Sequence, residues 1–451
     1  MILIFVHGWS VTNTETYGGL PQALAESQAA KDLDLRIHHL HLGSYISFHD
    51  EVVLDDISRA FDYALRHDIL GNEGEIQPFS CITHSTGGPV VRNWLKLFYE
   101  ESGDLVPSPL QHLVMLAPAN HGSALAVLGK GRIGRMRAWF QGVEPGQGVL
   151  DWLCLGSDGQ WALNRAWAGY RYEDAGLFPF VLSGDTIDTS FYDFLNSYLV
   201  EAGSDGVVRL AGANLNYKFI RLTETGTPYP DGIMSLGFAA PLSSPATAFG
   251  VIPAASHTGA TLGIMQSVQP GNALAKPVVA EILSCLSVAS QTDYEARMEA
   301  QAKALPGDNQ RFVMFVLSVT DDRGAAISDY DFFILGGDDF APDQLPSGFF
   351  KDRQKNDSSG RLIYYLNYDV MASMAKIGFR IVARPDSGFA RYVPVEFRSD
   401  GLDVTHFITA SQTVYLDVVL TRRVDRETFR LSPADDPTGD FKGRNPSGET
   451  V

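Results

Sequence analysis

The stretch FSCITHSTGGPVVRNWL, Phe79 to Leu95, decides how this chain is read. An apolar run ends at a Ser wrapped in small residues, and apolar positions at helical spacing follow. A strand, a tight turn and a helix with Ser at the turn expose a nucleophile at the top of a sheet. The familiar elbow has Gly two residues before and two after the Ser. Gly87 fills the second place, but Thr83 stands in the first. A β-branched residue is tolerable there if the turn opens slightly. The competing reading is a Ser that caps an ordinary helix, so Ser85 must be tested against the rest of the chain.

A serine nucleophile needs an oxyanion hole, a base and an acid. One oxyanion donor comes from the residue after the nucleophile, here Thr86, and the other from a loop after an early strand. IFVHGW supplies such a loop, with Gly8 letting the chain turn so that the Trp9 N–H points at the developing charge. For an elbow serine the chain order is Ser, then acid, then His. Of 11 His, five adjoin or follow Ser85: His84, His112, His121, His257 and His406. His112 begins a strand, His121 precedes any plausible acid, and His406 lies in a β-rich C-terminal part. His257, in a loop of small residues, is left as the base. Two acids compete. Asp205 sits in a turn with Gly203 and Gly206 on either side, suited to holding a carboxylate against the imidazole. Asp185 directly follows the strand-like FPFVLSG. Asp188 and Asp193 are weaker alternatives.

The surroundings of these residues indicate two parts. Over residues 1–290 strand and helix signals alternate, which predicts a mostly parallel sheet covered on both faces. Phe178–Leu182 and Phe219–Leu222 read as its later strands. Residues 122–176 break the rhythm and read as an insertion or lid. Residues 291–310 read as a charged helical linker. From 311 to 431, short β-rich runs separated by Gly, Asp, Ser and Asn predict an all-β, sandwich-like domain. The polar stretch 432–451 reads as a tail.

The chain has 451 residues, enough for more than one core. Its net charge of −18 argues against non-specific nucleic-acid binding. Three widely spaced Cys form neither a disulfide framework nor a zinc site. His38, His39 and His41 lack accompanying ligands, no phosphate-loop motif is present, and no metal or organic cofactor is required by the proposed chemistry. The N-terminus reads as a strand rather than a signal peptide. No uninterrupted apolar run is long enough to span a bilayer, so membrane contact is expected to be peripheral. KGRIGRMRAWF is the obvious lipid-facing candidate. Lys130, Arg132, Arg135 and Arg137 alternate there with apolar residues that include Trp139 and Phe140. Phe349-Phe350 is a weaker candidate for the same role.

Taken together, THSTGG after a strand, the opening FVHGWSV, SDGVV and SHTG resemble the PlaB family of bacterial membrane-associated phospholipases A/lysophospholipases A. The resemblance covers the N-terminal part, and the two-part layout fits as well. It implies an α/β-hydrolase followed by a β-rich domain, with Ser85 as nucleophile, Asp205 as acid and His257 as base. Thr83 is then the family's own residue at the first elbow position. The resemblance further implies hydrolysis of fatty acyl esters of glycerophospholipids and lysophospholipids, peripheral association with a phospholipid membrane, and assembly into a homo-oligomer.

Overall fold

A computed structural model describes residues 1–7, 17–42, 49–69, 71–72, 75–126, 146–188, 203–305, 311–400 and 402–425. Six strands form the first sheet: β1 (Ile2–His7), β2 (Arg36–His41), β3 (Phe79–His84), β4 (Leu110–Leu116), β5 (Phe178–Gly184) and, after two strands that belong elsewhere, β8 (Ala248–Ile252). Their order is β8-β5-β4-β3-β1-β2, and every pairing is parallel. Strand alternation sends residues to opposite faces. Ile4, Val6, Cys81 and Met115 pack on one side with α2 (Leu54–Ala64), α3 (Gly87–Tyr99), α4 (Gln147–Leu153) and α5 (Asp158–Trp167). Leu3, Phe5, Ile82 and Val114 pack on the other with α1 (Leu20–Glu26), α6 (Pro277–Leu286) and α7 (Gln291–Lys303). β3 is buried along its whole length, as a central strand covered on both faces must be. The order reverses between β1 and β3. The carboxyl ends of strands at such a switch point frame the crevice where ligands bind in open α/β sheets.

Of the stretch expected to be a linker, the helix Gln291–Lys303 is part of this packing. Tyr294 of α7 is buried against the sheet, where its hydroxyl donates to Pro179 O (2.7 Å) and accepts from Ala248 N (3.1 Å). The charged look of the segment reflects its outer face; Tyr294 and Met298 form the inner one.

The second sheet is mixed. It contains β6 (Tyr217–Pro228), β7 (Met234–Phe238), β9 (Phe312–Asp321), β10 (Tyr330–Gly336), β11 (Phe350–Lys355), β12 (Leu362–Asn367), β13 (Ile377–Ala383), β14 (Val395–Arg398) and β15 (Thr413–Leu420). The order is β10-β13-β14-β7-β6-β15-β9-β12-β11. Two expectations are corrected here. Phe219–Leu222 does not join the first sheet: it lies in β6, paired in parallel with β15. The reason is its two-sided pattern. Tyr217 and Phe219 face the hydrolase core, while Ile220 and Leu222 face the second core. The sandwich-like outline comes from one continuous sheet that curls until its arms meet, with the Phe332 ring of β10 5.2 Å from the Tyr364 ring of β12. Phe349, expected near lipid, is buried in that core.

A buried polar chain joins the two parts. Asn164 Nδ2 donates to the Tyr415 hydroxyl (2.8 Å), which donates to His121 Nδ1 (2.7 Å), and His121 Nε2–H donates to Asn214 O (2.8 Å). Arg92, on α3, ends in the same network through Asn120 and Asn164 and lies over the Trp167 ring. The side chains of Asn164, Tyr415 and His121 are each hydrogen-bonded within this run, which lowers the cost of enclosing them and helps fix the orientation of the two parts. All three Cys are buried, and none is in a disulfide.

Candidate active site

Ser85 stands at the carboxyl end of β3, beside the switch point, with φ of 53°. A side chain in this left-handed region costs roughly 1–3 kcal/mol, so the surroundings must impose it. Ser85 N donates to Leu116 O (3.0 Å), and Ala119 N donates to Ser85 O (3.3 Å). Space is tight just after the turn. A Cβ on Gly87 would lie 3.3 Å from Thr83 Cβ, and one on Gly88 would lie 3.0 Å from Pro118 Cβ. Thr83 is therefore accommodated because Gly87, opposite it, has no side chain.

Three side chains expected from the sequence come together. His257 Nε2 lies 3.1 Å from Ser85 Oγ, and His257 Nδ1 lies 2.9 Å from Asp205 Oδ2. Asp205 Oδ1 accepts from Val207 N (2.9 Å) and Val208 N (2.7 Å), so the carboxylate is held by its own turn. Gly206, with φ of 92°, permits that turn. Asp205 and His257 are buried, whereas Ser85 is half-exposed. Both ring nitrogens of His257 are thus taken, and neither Asp185 nor Asp188 bonds to it. Asp185 Oδ1 instead accepts from Ala254 N (3.0 Å) and the Thr186 hydroxyl (2.9 Å).

The base loop is fastened from several directions. His257 N donates to Asp205 O (2.9 Å). His84 Nε2 donates to His257 O (3.0 Å), and the two rings lie 4.7 Å apart. Burial, reinforced by the neighbouring His257, holds the His84 pKa well below the ordinary imidazole range, so the ring is neutral with its proton on Nε2. At Gly184 a Cβ would fall 2.1 Å from Ala255 O and 3.3 Å from Asp205 Cβ, so glycine there lets β5, the acid turn and the base loop converge. The acid turn is also braced from the second sheet. Arg209 pairs with Asp352 of β11 at 2.8 Å, and its guanidinium lies over the Tyr365 ring.

Thr86 caps the start of α3, and no described group accepts its N–H. A helix start presents such free donors to an anion. Trp9, Lys130, Arg132, Arg135, Arg137, Trp139, Phe140, Asp193 and the tail 432–451 lie outside the described residues. Sequence reasoning assigned no role to His84, Gly184 or Tyr17. Tyr17 is buried beneath the switch point, where its hydroxyl donates to Val6 O (2.6 Å). The position of His84 immediately before the serine was the one available hint. His38, His39 and His41 lie along β2, with His39 and His41 stacked at 6.2 Å, and no metal-holding cluster occurs among the described residues.

A parallel sheet in this order, helices on both faces, and a serine on a left-handed turn at the end of a central strand define an α/β-hydrolase. Along its whole length the chain is similar to phospholipase PlaB from Legionella pneumophila, at 40% identity, with 100% of each chain covered and a TM-score of 0.87. The structure of that phospholipase in complex with thio-NAD matches at 39% identity, the same coverage and the same TM-score. The chain belongs to the PlaB phospholipase family. No protein-family profile matches it, and no curated protein matches it in sequence.

Proposed function

We propose that this protein hydrolyses fatty acyl esters of glycerophospholipids and lysophospholipids, with Ser85 as nucleophile, His257 as general base and Asp205 as its partner. The observation that carries this reading is the continuous hydrogen-bonded line from Ser85 Oγ through His257 to Asp205, on an elbow in a PlaB-family chain. Asp205 Oδ2 accepts from Nδ1–H, which leaves Nε2 as the lone pair facing Ser85. His257 takes the Ser85 proton as Oγ attacks the ester carbonyl, and Asp205 stabilises the resulting imidazolium. The Thr86 N–H, with Trp9 as the expected second donor, stabilises the oxyanion. His257 returns the proton to the departing glycerol oxygen, leaving an acyl-serine. A water activated by the same imidazole releases the fatty acid and restores Ser85.

The reading includes peripheral membrane docking through the basic cluster at 130–140 and association of copies of the chain. Among the described residues no helix is long and apolar enough to cross a membrane. Purified protein should release fatty acid from phospholipid and lysophospholipid vesicles, and Ser85→Ala should abolish release. Full activity in Ser85→Ala would overturn the mechanism. Sedimentation with anionic vesicles, compared with a variant neutralised at Arg132, Arg135 and Arg137, tests the docking surface. Light scattering tests self-association.

A further inference from the structure

The curled sheet encloses a hollow that the hydrolase chemistry does not use. Its volume is about 100 Å³, and its walls include Ile220, Leu222, Phe315, Leu317, Phe379 and Leu416. A void with an apolar lining stays dry and takes an apolar guest more readily than water. The segment from Leu402 to Ile408 forms one rim. Phe407 and Ile408 line the hollow, and Leu402 is 40% exposed, so the hollow is bordered by surface.

A cation, Lys218, stands at this rim. Lys218 precedes Ile220 and Leu222 on β6 and shares their face by strand alternation. Its Nζ donates to Phe407 O at 3.0 Å. An ammonium has three donors, and no carboxylate among the described residues pairs with this one. Partial burial lowers its pKa. An apolar slot for a tail and an ammonium at its rim with no carboxylate partner among the described residues match an amphiphile with one chain and an anionic head.

We infer that the hollow of the second sheet binds a single fatty acid, its alkyl chain among Ile220, Leu317 and Leu416 and its carboxylate on Lys218. The proposed hydrolysis supplies the ligand's source, because a fatty acid anion is its product, but binding itself does not depend on Ser85. Occupancy would place product on the part of the molecule whose strand β11 braces the acid turn through Asp352 and Arg209.

The test is photolabelling of the full chain with a diazirine-bearing fatty acid, followed by peptide mapping. Label is expected on peptides containing 217–222 and 402–416. Decanoate should compete for it, and neither decyltrimethylammonium nor decyl phosphate should compete as well. Lys218→Met should weaken labelling of these peptides about tenfold, the weight of one partly desolvated ion pair. Ile408→Trp, which fills the hollow from its rim, should remove it. Soluble-ester hydrolysis by the same preparations should be unchanged in both variants, which also shows that they are folded. Absence of label from these peptides, labelling insensitive to Lys218→Met, or equal competition by decyltrimethylammonium overturns the inference. Better competition by decyl phosphate overturns the carboxylate assignment. Failure of the wild-type protein to hydrolyse any ester would sink the proposed function while leaving the labelling result intact.

Discussion

Two acidic turns flank the base loop, and they do different work. Asp185, at the end of β5, holds the beginning of the loop through Ala254 N. Asp205, in its glycine-bounded turn, holds the imidazole through Nδ1 and the backbone through His257 N. Both lie between the serine and the histidine in sequence, and both end near the same loop. The difference is burial and prior satisfaction. Asp205 Oδ1 is saturated by two N–H groups of its own turn, so Oδ2 is aimed and available. Asp185 is partly exposed and spends its carboxylate on local backbone and Thr186. Following a strand directly is therefore a poorer guide to the acid than a turn that can lock a carboxylate.

The sharpest way to break this contrast is to neutralise each acid. Asp205→Asn should lower kcat by about four orders of magnitude, because the amide favours the wrong imidazole tautomer. Asp185→Asn should cost less than about tenfold. Comparable losses, measured by fatty acid release from the same lipid, would show that the two turns share the role.

Next in size is the point where the turns converge. Gly184→Ala places a methyl against Ala255 O and should destabilise the protein by about 1–3 kcal/mol in urea unfolding, with kcat falling as the acid and base shift apart. A neutral result would mean that the loops yield independently.

A third test asks what else aims the base. His84→Phe removes the donor to His257 O and leaves a buried carbonyl unpaired, a cost of about 1–3 kcal/mol. It should lower kcat more than it changes KM and move the acid limb of the pH–rate profile. His84→Gln, which keeps a donor near Nε2, should recover most of the loss. If Phe and Gln behave alike, His84 only fills space.

The smallest effect separates site histidines from structural ones by acid titration. Burial, helped by the Arg92 guanidinium, pushes His121 down to about 3. Between that value and the unfolded pKa near 6.5, the unfolded chain binds the proton and the folded chain does not. Stability therefore falls as pH drops below about 6.5, by at most about 1.4 kcal/mol per pH unit for this group. His121→Asn should flatten the acid slope of unfolding free energy by one proton without moving the pH–rate profile. A shift of that profile would place His121 in the chemistry.

Much of the site was legible because its residues are announced locally. The Ser85 elbow, the glycines around Asp205 and the small residues around His257 each mark a sharp turn, and turn chemistry is read from adjacent residues. The membership of β6 was not legible. A two-sided strand looks the same in sequence whichever sheet accepts it, and only its pairing with β15, nearly 200 residues later, decides. The helix Gln291–Lys303 misled for a related reason, since its few apolar contacts are long-range and its charges are near at hand. The role of His84 depends on a bond to residue 257 that no local pattern predicts.

By itself, the sequence determined that an apolar strand ends in a serine turn, that small residues surround a later Asp and His, and that two cores of different character lie along the chain. These are consequences of backbone sterics and periodicity, which act over a few residues. Only the tertiary structure decided that Asp205 rather than Asp185 meets His257, that the second sheet recruits β6 and β7, and that its concave face leaves Lys218 beside an apolar hollow. Those outcomes depend on which distant surfaces bury one another, and the hydrophobic effect that drives that burial is non-directional. The choice among partners is made by close packing and by hydrogen bonds that exist only once the chain is folded.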